Sequence, residues 1–206
     1  MDQEPTSPER SIEERLLDAA LETATVHGLA RLSVGDVAKR AGLSRQTLYR
    51  YFPSRDALVA ALVANETSQL VRTVAESALA EDTPQGSLEA ALATALRVVR
   101  DHPLLDRLVR TEPEALLPLL TTEGSPAMTQ VRSVVEAILA QRTPELDDDE
   151  VARRRLADVI TRLLISYAIS APDDPPDVVA RYVSTFLVLG AVPAAHDGAS
   201  HHGDPS

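Results

Sequence analysis

The chain has 206 residues, no cysteine and a formal net charge of −11. The lack of cysteine excludes a disulfide framework, a thiolate zinc site and a cysteine nucleophile. The N-terminus MDQEPTSPER is polar and acidic, unlike a secretory signal, and no stretch approaches the ~18 uninterrupted apolar residues of a membrane-spanning helix. We therefore expect a cytoplasmic protein without a membrane segment, large enough for a small head and one larger core-forming domain.

The first predicted helix begins at Ser11, because Ser11 and Glu14 have the spacing of a capping box. Apolar residues then recur at helical spacing. They are Ile12, Leu16, Leu17, Ala20, Leu21 and Ala24. The helix is expected to end near Gly28, and residues 1–10 are predicted to be a disordered tail.

Residues 33–52, SVGDVAKRAGLSRQTLYRYF, predict two short helices joined by a glycine turn. Ser33 is placed to cap the first helix, with Asp36 reaching back as in a capping box, and Gly42 accepts the positive φ of a tight reversal. Ser44 caps a second helix, residues 45–51, which we call the reader helix. Leu48 and the following Phe52 point inward, and the polar residues cover the other faces. These are Arg45, Gln46, Thr47, Tyr49, Arg50 and Tyr51. The pattern is typical of a helix-turn-helix whose second helix enters the major groove of DNA.

Helix–glycine–helix hairpins also occur in proteins that never bind DNA, so the distribution of charge decides between the two interpretations. The segment from Arg31 to Arg55 carries six basic residues and one acidic residue, a balance of +5, whereas the rest of the chain sums to −16. A protein with this much negative charge is repelled by DNA unless its positive charge is concentrated at the contact surface. The concentration found here favours DNA binding.

The same residues resemble the TetR family of bacterial transcriptional regulators. The resemblance rests on SRQTLYRYF at 44–52, SRDAL at 54–58, SVGDVA at 33–38 and AGLS at 41–44, and it covers roughly residues 10 to 60. The family often has His at the position of Tyr51 and Lys at the position of Arg55. Both departures keep a hydrogen-bond donor, although Arg and Lys differ in geometry.

Hydroxyl caps, prolines and, at 147–150, a run of acidic residues mark the starts of the later helices. The predicted starts are Ser54, Thr83-Pro84, His102-Pro103, residues 111–114, Pro126, residues 147–150 and residues 175–177. No alternating strand pattern or internal repeat is present, so the fold is expected to be all-α. We predict a helix-turn-helix domain at 11–57, a helical ligand-binding and dimerisation domain at 58–193, and a disordered tail at 194–206.

The predicted DNA contacts fall into two groups. Thr47, Tyr49 and Tyr51 are placed to donate hydrogen bonds to phosphates, with Arg55 and the helix caps Ser33 and Ser44 supporting them. Base reading falls to Arg45, Gln46 and Arg50, because guanidinium and amide groups can form paired hydrogen bonds with guanine and adenine. The alternative, that both arginines reach only phosphate, stays open.

The last two helices carry broad apolar faces that predict a homodimer interface. The residues expected there are Leu156, Ile160, Leu163, Leu164, Tyr167, Val179, Tyr182, Val183, Phe186 and Leu187. An intramolecular core is the alternative for these faces. One short reader helix gives little affinity, so two symmetric heads reading a palindromic operator are expected. The family resemblance implies the same four-helix pairing.

The resemblance also implies an effector cavity among the middle helices. With only 3% aromatic residues, an aliphatic pocket is expected in place of an aromatic cage for planar cations. The polar candidates for ligand contact are His102, Arg107, Arg110, Glu112, Ser166 and Tyr167. Each also has a purely structural interpretation. The run from Asp101 to Gly124 resembles a QsdR-like subset of the family, which points to an acyl or lactone-like effector.

An enzyme and a helical interaction protein without DNA binding are the competing functions. The five histidines lack metal-ligand spacing, and neither a glycine-rich phosphate loop nor a G-x-S-x-G elbow is present. Acidic pairs lie at helix starts, where capping explains them. An interaction protein would have a neutral or acidic reader helix. We therefore expect a DNA-binding regulator with no cofactor and no metal.

Overall fold

The computed structural model describes residues 11–115, 126–142, 149–170 and 173–191, and every long regular element within these ranges is an α-helix. The helices are α1 (Ile12–His27), α2 (Val34–Arg40), α3 (Arg45–Tyr51), α4 (Arg55–Leu79), α5 (Pro84–Asp101), α6 (Pro103–Thr111), α7 (Pro126–Arg142), α8 (Glu150–Ile169) and α9 (Pro176–Ala191). The all-α prediction is confirmed. The second short helix predicted after residue 111 lies mostly outside the described residues. None of the described helices combines the length and apolarity needed to cross a bilayer.

The helix starts follow the hydroxyl caps of the sequence. A side-chain oxygen accepts a hydrogen bond from the backbone N–H three residues later at Ser11, Ser33, Ser44, Ser54 and Thr83. At Ser11 the capping box is complete, since its N–H also donates to Glu14 Oε2 at 2.7 Å. At Ser33 only the bond from Asp36 N–H forms, at 3.4 Å, so the reciprocal arm predicted for Asp36 is absent there.

The head consists of α1, α2, α3 and the first turns of α4 around one core. Leu16, Leu48, Leu58 and Leu62 are fully buried in it. Leu104 and Leu108 of α6 belong to the same core, although they lie more than forty residues further along the chain. The hydrophobic core of the head therefore extends beyond residue 57, and the division of the chain at that point stays a proposal.

The second body of helices packs around α5. Leu92 and Leu96 of α5 contact Val179, Ala180 and Val183 of α9. A separate cluster joins α7 to α8, with Leu139, Ala157 and Ile160 buried together. Polar links from α5 to α9 add to this packing, namely the ion pair of Arg97 with Asp177 and that of Arg181 with Glu89 at 3.4 Å.

The predicted dimer residues divide by exposure. Ile160, Val179 and Val183 are buried inside the single chain, where they form its own core, so little of their surface remains for a partner. Tyr182 and Phe186 are 76% and 71% exposed. Leu156, Leu163, Leu164, Tyr167 and Leu187 are half-buried. The outward surface of α9 therefore carries an uncovered apolar patch in the monomer, beside the exposed side chains of Arg181 and Thr185.

Candidate DNA-binding surface and effector cavity

The turn between α2 and α3 fixes the exposure of the reader helix. Gly42 has φ +68°, and the N–H of Leu43 closes the reversal by donating to the carbonyl of Ala38 at 2.9 Å. Leu48 and Phe52 anchor α3 in the core of the head. As a result the opposite faces of α3 are turned to solvent, and Arg45, Gln46, Tyr49, Arg50 and Tyr51 are all exposed.

Two hydroxyls hold the N-terminus of α3 in place. Ser44 Oγ accepts the N–H of Thr47 at 3.0 Å and lies 2.9 Å from Thr47 Oγ1. These groups stand where the helix presents its free N–H groups and the positive end of its dipole, which favours an anion such as phosphate. Ser44 and Thr47 can therefore cap the helix and face a phosphate at once.

Aromatic and basic side chains alternate at the other end of the reader helix. Tyr49 is 50% exposed and Tyr51 is 38% exposed. The guanidinium of Arg50 lies over the ring of Tyr51, 5.6 Å from its centroid, a cation–π contact that limits the conformations of both. Arg31 before α2 and Lys39 on α2 are exposed as well, whereas Arg40 is paired with Glu22 at 2.9 Å.

Arg45 folds back over the first turn of α2. A Cβ atom at Gly35 would lie 2.3 Å from Arg45 Nη2, so the missing side chain of Gly35 is what admits the guanidinium. In this structure the guanidinium of Arg45 therefore lies against the first turn of α2.

Gly35→Ala tests this arrangement. Because alanine is the better helix former and Arg45 is long enough to move aside, we expect the free energy of unfolding to rise by up to about 1 kcal/mol. Urea denaturation of Gly35→Ala, Arg45→Ala and the double variant measures the effect. A loss of stability that disappears in the double variant would show that the Arg45–α2 contact outweighs helix propensity.

Arg55, which the sequence predicts to support the phosphate contacts, also has a structural role within the head. Its guanidinium donates to three backbone carbonyls of the α1–α2 connection, those of Leu29, Ala30 (3.2 Å) and Leu32 (3.2 Å). Asp56 accepts a further bond at 3.2 Å. In this structure Arg55 fastens the start of α4 to the residues that lead into α2, so its donors are largely committed.

Glu112 holds the same connection from the other side. Its carboxylate accepts the N–H of Ala30 at 3.1 Å and lies against Gly28, whose φ is +89°. Arg107 is its ionic partner, with Nε 3.8 Å from Glu112 Oε1. The segment from Gly28 to Leu32, which we call the junction segment, is therefore gripped by Arg55 of α4 and by Glu112 at the end of α6.

An apolar cavity of about 220 Å³ lies between α4, α5, α6, α7 and α8. Leucine, valine, isoleucine and alanine side chains make up most of its wall. Four α6 residues line it, namely Leu104, Leu105, Leu108 and Val109, and Leu29 of the junction segment reaches it too. Leu104 and Leu108 also belong to the core of the head. Helix α6 therefore forms part of the cavity wall and, at the same time, part of the head.

Among the six polar residues expected to contact a ligand, His102 lines the cavity. Arg107 and Glu112 pair with each other beside the junction segment, and Arg110 pairs with Asp106 at 2.6 Å on the exposed side of α6. Ser166 is exposed, and Tyr167 packs against the α5–α9 cluster. In this structure only His102 of the six is among the described residues that form the wall.

Sequence reasoning missed Glu66, which lines the cavity and pairs with His102 through Nε2 and Oε2 at 3.1 Å. The signal was present. Leu58, Leu62, Glu66 and Leu70 follow one another at four-residue spacing, so Glu66 is a carboxylate on the buried stripe of α4.

Comparison with known families agrees with this arrangement of a helix-turn-helix head and a helical body. Residues 16–62 match the family model described as bacterial regulatory proteins, tetR family. Residues 82–188 match the model described as the bacterial tetracyclin repressor C-terminal domain.

Individual relatives extend over nearly the whole chain. An uncharacterized HTH-type transcriptional regulator of Mycobacterium tuberculosis is 33% identical over 186 residues, covering 88% of this chain and 86% of the relative. The TetR family repressor AlkX from Dietzia sp., implicated in biodegradation of n-alkanes, has a similar structure, with a TM-score of 0.67 and 24% identity over 91% of this chain and 98% of that one. The repressor QsdR of R. erythropolis has a TM-score of 0.57 and 20% identity, over 85% and 93% of the two chains.

Proposed function

Because the chain belongs to the TetR family of bacterial transcriptional regulators, we propose that it binds a palindromic DNA operator as a homodimer and represses transcription until a small, largely apolar effector fills the cavity. The observation that carries the proposal is the exposed, basic reader helix on a chain whose remainder is strongly acidic. Repression as the sign of regulation is supported by AlkX and QsdR, both of which are repressors. With DNA as its partner, the protein would act in the bacterial cytoplasm.

The division into domains follows the same logic. We propose that residues 11–57 are the DNA-binding head and 58–193 the effector and dimer domain; the predicted tails, 1–10 and 194–206, lie outside the described residues. Ser33, Ser44, Thr47, Tyr49 and Tyr51 face the phosphates in this proposal. Arg45, Gln46 and Arg50 face the bases. Arg55 is proposed to support the phosphate contacts and also fixes the junction segment.

The proposed dimer forms across the exposed surface of α9 and the adjoining face of α8. Val178, Tyr182 and Phe186 on α9 and Val159 on α8 are all large apolar residues with 46% or more of their surface exposed. A face of this kind pairs well with a copy of itself, since a two-fold axis places the same patch on both sides. Two heads on one dimer can then contact successive major grooves.

Release of DNA is proposed to pass through α6. A ligand that enlarges the cavity displaces Leu104, Leu105 or Leu108, and Glu112 at the end of the same helix holds the N–H of Ala30. Displacement of α6 therefore shifts the junction segment and the head attached to it. In thermodynamic terms the ligand favours a dimer whose reader helices are wrongly spaced for the operator.

Arg45→Ala and Tyr49→Phe test the assignment of the reader helix. Arg45→Ala should change the preferred operator sequence, since a paired contact to one base contributes about 1–3 kcal/mol of discrimination. Tyr49→Phe should weaken all operators alike, because it removes one bond to phosphate. Selection from a random DNA library followed by titration of the recovered sites measures both.

Arg72→Ala is the matched control, since Arg72 is an exposed arginine on α4 whose contact is Glu76 at 4.0 Å. It should leave both affinity and sequence preference unchanged. Equal weakening of every operator by Arg45→Ala would place that side chain on the backbone. Failure of the wild-type protein to select any DNA sequence would refute the proposed function.

A further inference from the structure

The polar groups of the cavity wall are few, and two of them are already satisfied. Thr67 and Ser87 line the cavity, but their hydroxyls donate to backbone carbonyls, that of Val63 at 2.8 Å and that of Ala78 at 2.7 Å. The remaining polar residues among the described wall residues are Glu66 and His102, both of which are titratable. This pair is therefore where a ligand would place a polar end.

The hydrogen bonds of His102 fit one arrangement of its ring protons. His102 caps α6, and its Nδ1 accepts the N–H of Leu105 at 3.3 Å. A ring nitrogen that accepts a hydrogen bond carries no proton, so the single ring proton is on Nε2, which faces Glu66 Oε2 at 3.1 Å. These two contacts fit a neutral imidazole that donates from Nε2 to the carboxylate.

Glu66 then carries an uncompensated negative charge into the cavity. Its second oxygen accepts from Asn65 Nδ2 at 3.0 Å, which leaves about half of its roughly four lone-pair sites open. Both side chains of the pair are mostly buried, at 17% and 18% exposure. Burial keeps solvent from screening the charge.

The described part of the cavity wall offers no cation to offset this charge. The described residues lining the cavity include neither arginine nor lysine. On α6, the helix that His102 caps, Arg107 is paired with Glu112 and Arg110 with Asp106. The sequences of 116–125 and 143–148 contain no Arg, Lys or His, so neither segment can supply a positive charge.

From these contacts we infer that the effector is an uncharged aliphatic molecule with a hydroxyl at one end, which donates a hydrogen bond to Glu66, and that chains ending in a carboxylate are rejected. The inference rests on the proposed function, in which filling this cavity is the signal. A carboxylate would meet the like charge of Glu66 after losing its own water. An ammonium group would be attracted to Glu66, but it loses more hydration than a hydroxyl, and Glu66 is the one carboxylate among the described wall residues for its three N–H donors.

Calorimetric titration of the full-length protein tests the inference with three probes of equal chain length, decan-1-ol, decanoate and decylamine. We expect the alcohol to bind at least about tenfold more tightly than the carboxylate. Octanol and dodecanol in place of decanol control for length. Decanoate binding as tightly as decanol, decylamine binding tenfold more tightly than decanol, or no binding by any alcohol would each overturn the inference.

Glu66→Gln identifies the group responsible, since it removes the charge and keeps the shape. The alcohol-to-carboxylate ratio should fall to about threefold or less in this variant. Glu76→Gln makes the same change at an exposed position of the same helix and should keep the full ratio. An unchanged ratio in Glu66→Gln would overturn the role of Glu66, and the wild-type ratio still tests the ligand class if that variant fails to fold.

Operator binding is measured separately, so the two proposals can fail independently. If decanol binds but the protein keeps its operator, the ligand class stands and the ligand-released mechanism is refuted. If the operator binds and none of the alcohols does, the ligand class is refuted and DNA binding stands.

Discussion

Phe186→Asp should convert the protein to a monomer and weaken operator binding by at least about 100-fold. Phe186 is 71% exposed on α9 beside Tyr182, which is 76% exposed, so the side chain is buried only if a partner covers it. Burying one such side chain contributes about 1.5–3 kcal/mol to the free energy of dimerisation, and a two-fold symmetric dimer buries two copies of it. In the variant the dimer would also bring two carboxylates into an apolar interface.

Analytical ultracentrifugation at micromolar concentration measures the mass, and titration of operator DNA measures the affinity. Leu79→Asp is the control, because Leu79 is a large apolar residue that is likewise exposed (42%) but lies at the end of α4. It should leave the dimer and the DNA affinity intact. A Phe186→Asp protein that remains dimeric would place the interface elsewhere.

Gly28→Ala should lower the free energy of unfolding by about 3 kcal/mol or more. Gly28 has φ 89° and ψ 159°, a backbone conformation that is essentially restricted to glycine and costs other residues about 1–3 kcal/mol. A Cβ there would also lie 1.5 Å from Glu112 Oε1, so the carboxylate would have to leave the N–H of Ala30. A lost hydrogen bond to a charged acceptor adds roughly 1.5–3 kcal/mol.

Gly42→Ala is the matched comparison, since Gly42 also has positive φ, at +68°, but a Cβ there would meet only Arg15 Nη2 at an ordinary 3.7 Å. Gly42→Ala should lower the free energy of unfolding by about 1–2 kcal/mol, because only the left-handed backbone conformation is strained there. Chemical denaturation of both variants gives the difference. Equal losses would mean that Glu112 moves aside without cost and does not hold the junction segment.

The helix-turn-helix could be predicted because its determinants are local. Ser44 caps α3 by accepting the N–H three residues later, and Gly42 forms the turn through its own positive φ. The residues that determine the motif therefore lie within the motif itself. Leu48 and Phe52 follow from helical spacing. The limits of α3 were accordingly predicted at Arg45 and Tyr51, where the structure has them.

The roles of Arg55, Glu66 and Glu112 could not be predicted in the same way, because their partners lie far along the chain. Arg55 contacts Leu29 across 26 residues, Glu66 contacts His102 across 36, and Glu112 contacts Ala30 across 82. A long charged side chain has the same local pattern whether it meets DNA, solvent or a distant carbonyl. Only the packing of α4 and α6 against the head selects among these outcomes.

The placement of α6 has a consequence for engineering. A chimera that joins the head of one regulator to the body of another would require the two parts to fold as interchangeable modules. Here Leu104 and Leu108 fill the interior of the head from a helix that the body supplies. A recombinant joined near residue 57 would inherit a foreign α6, and its head would fold properly only if that helix offers two leucine-sized side chains at the same depth.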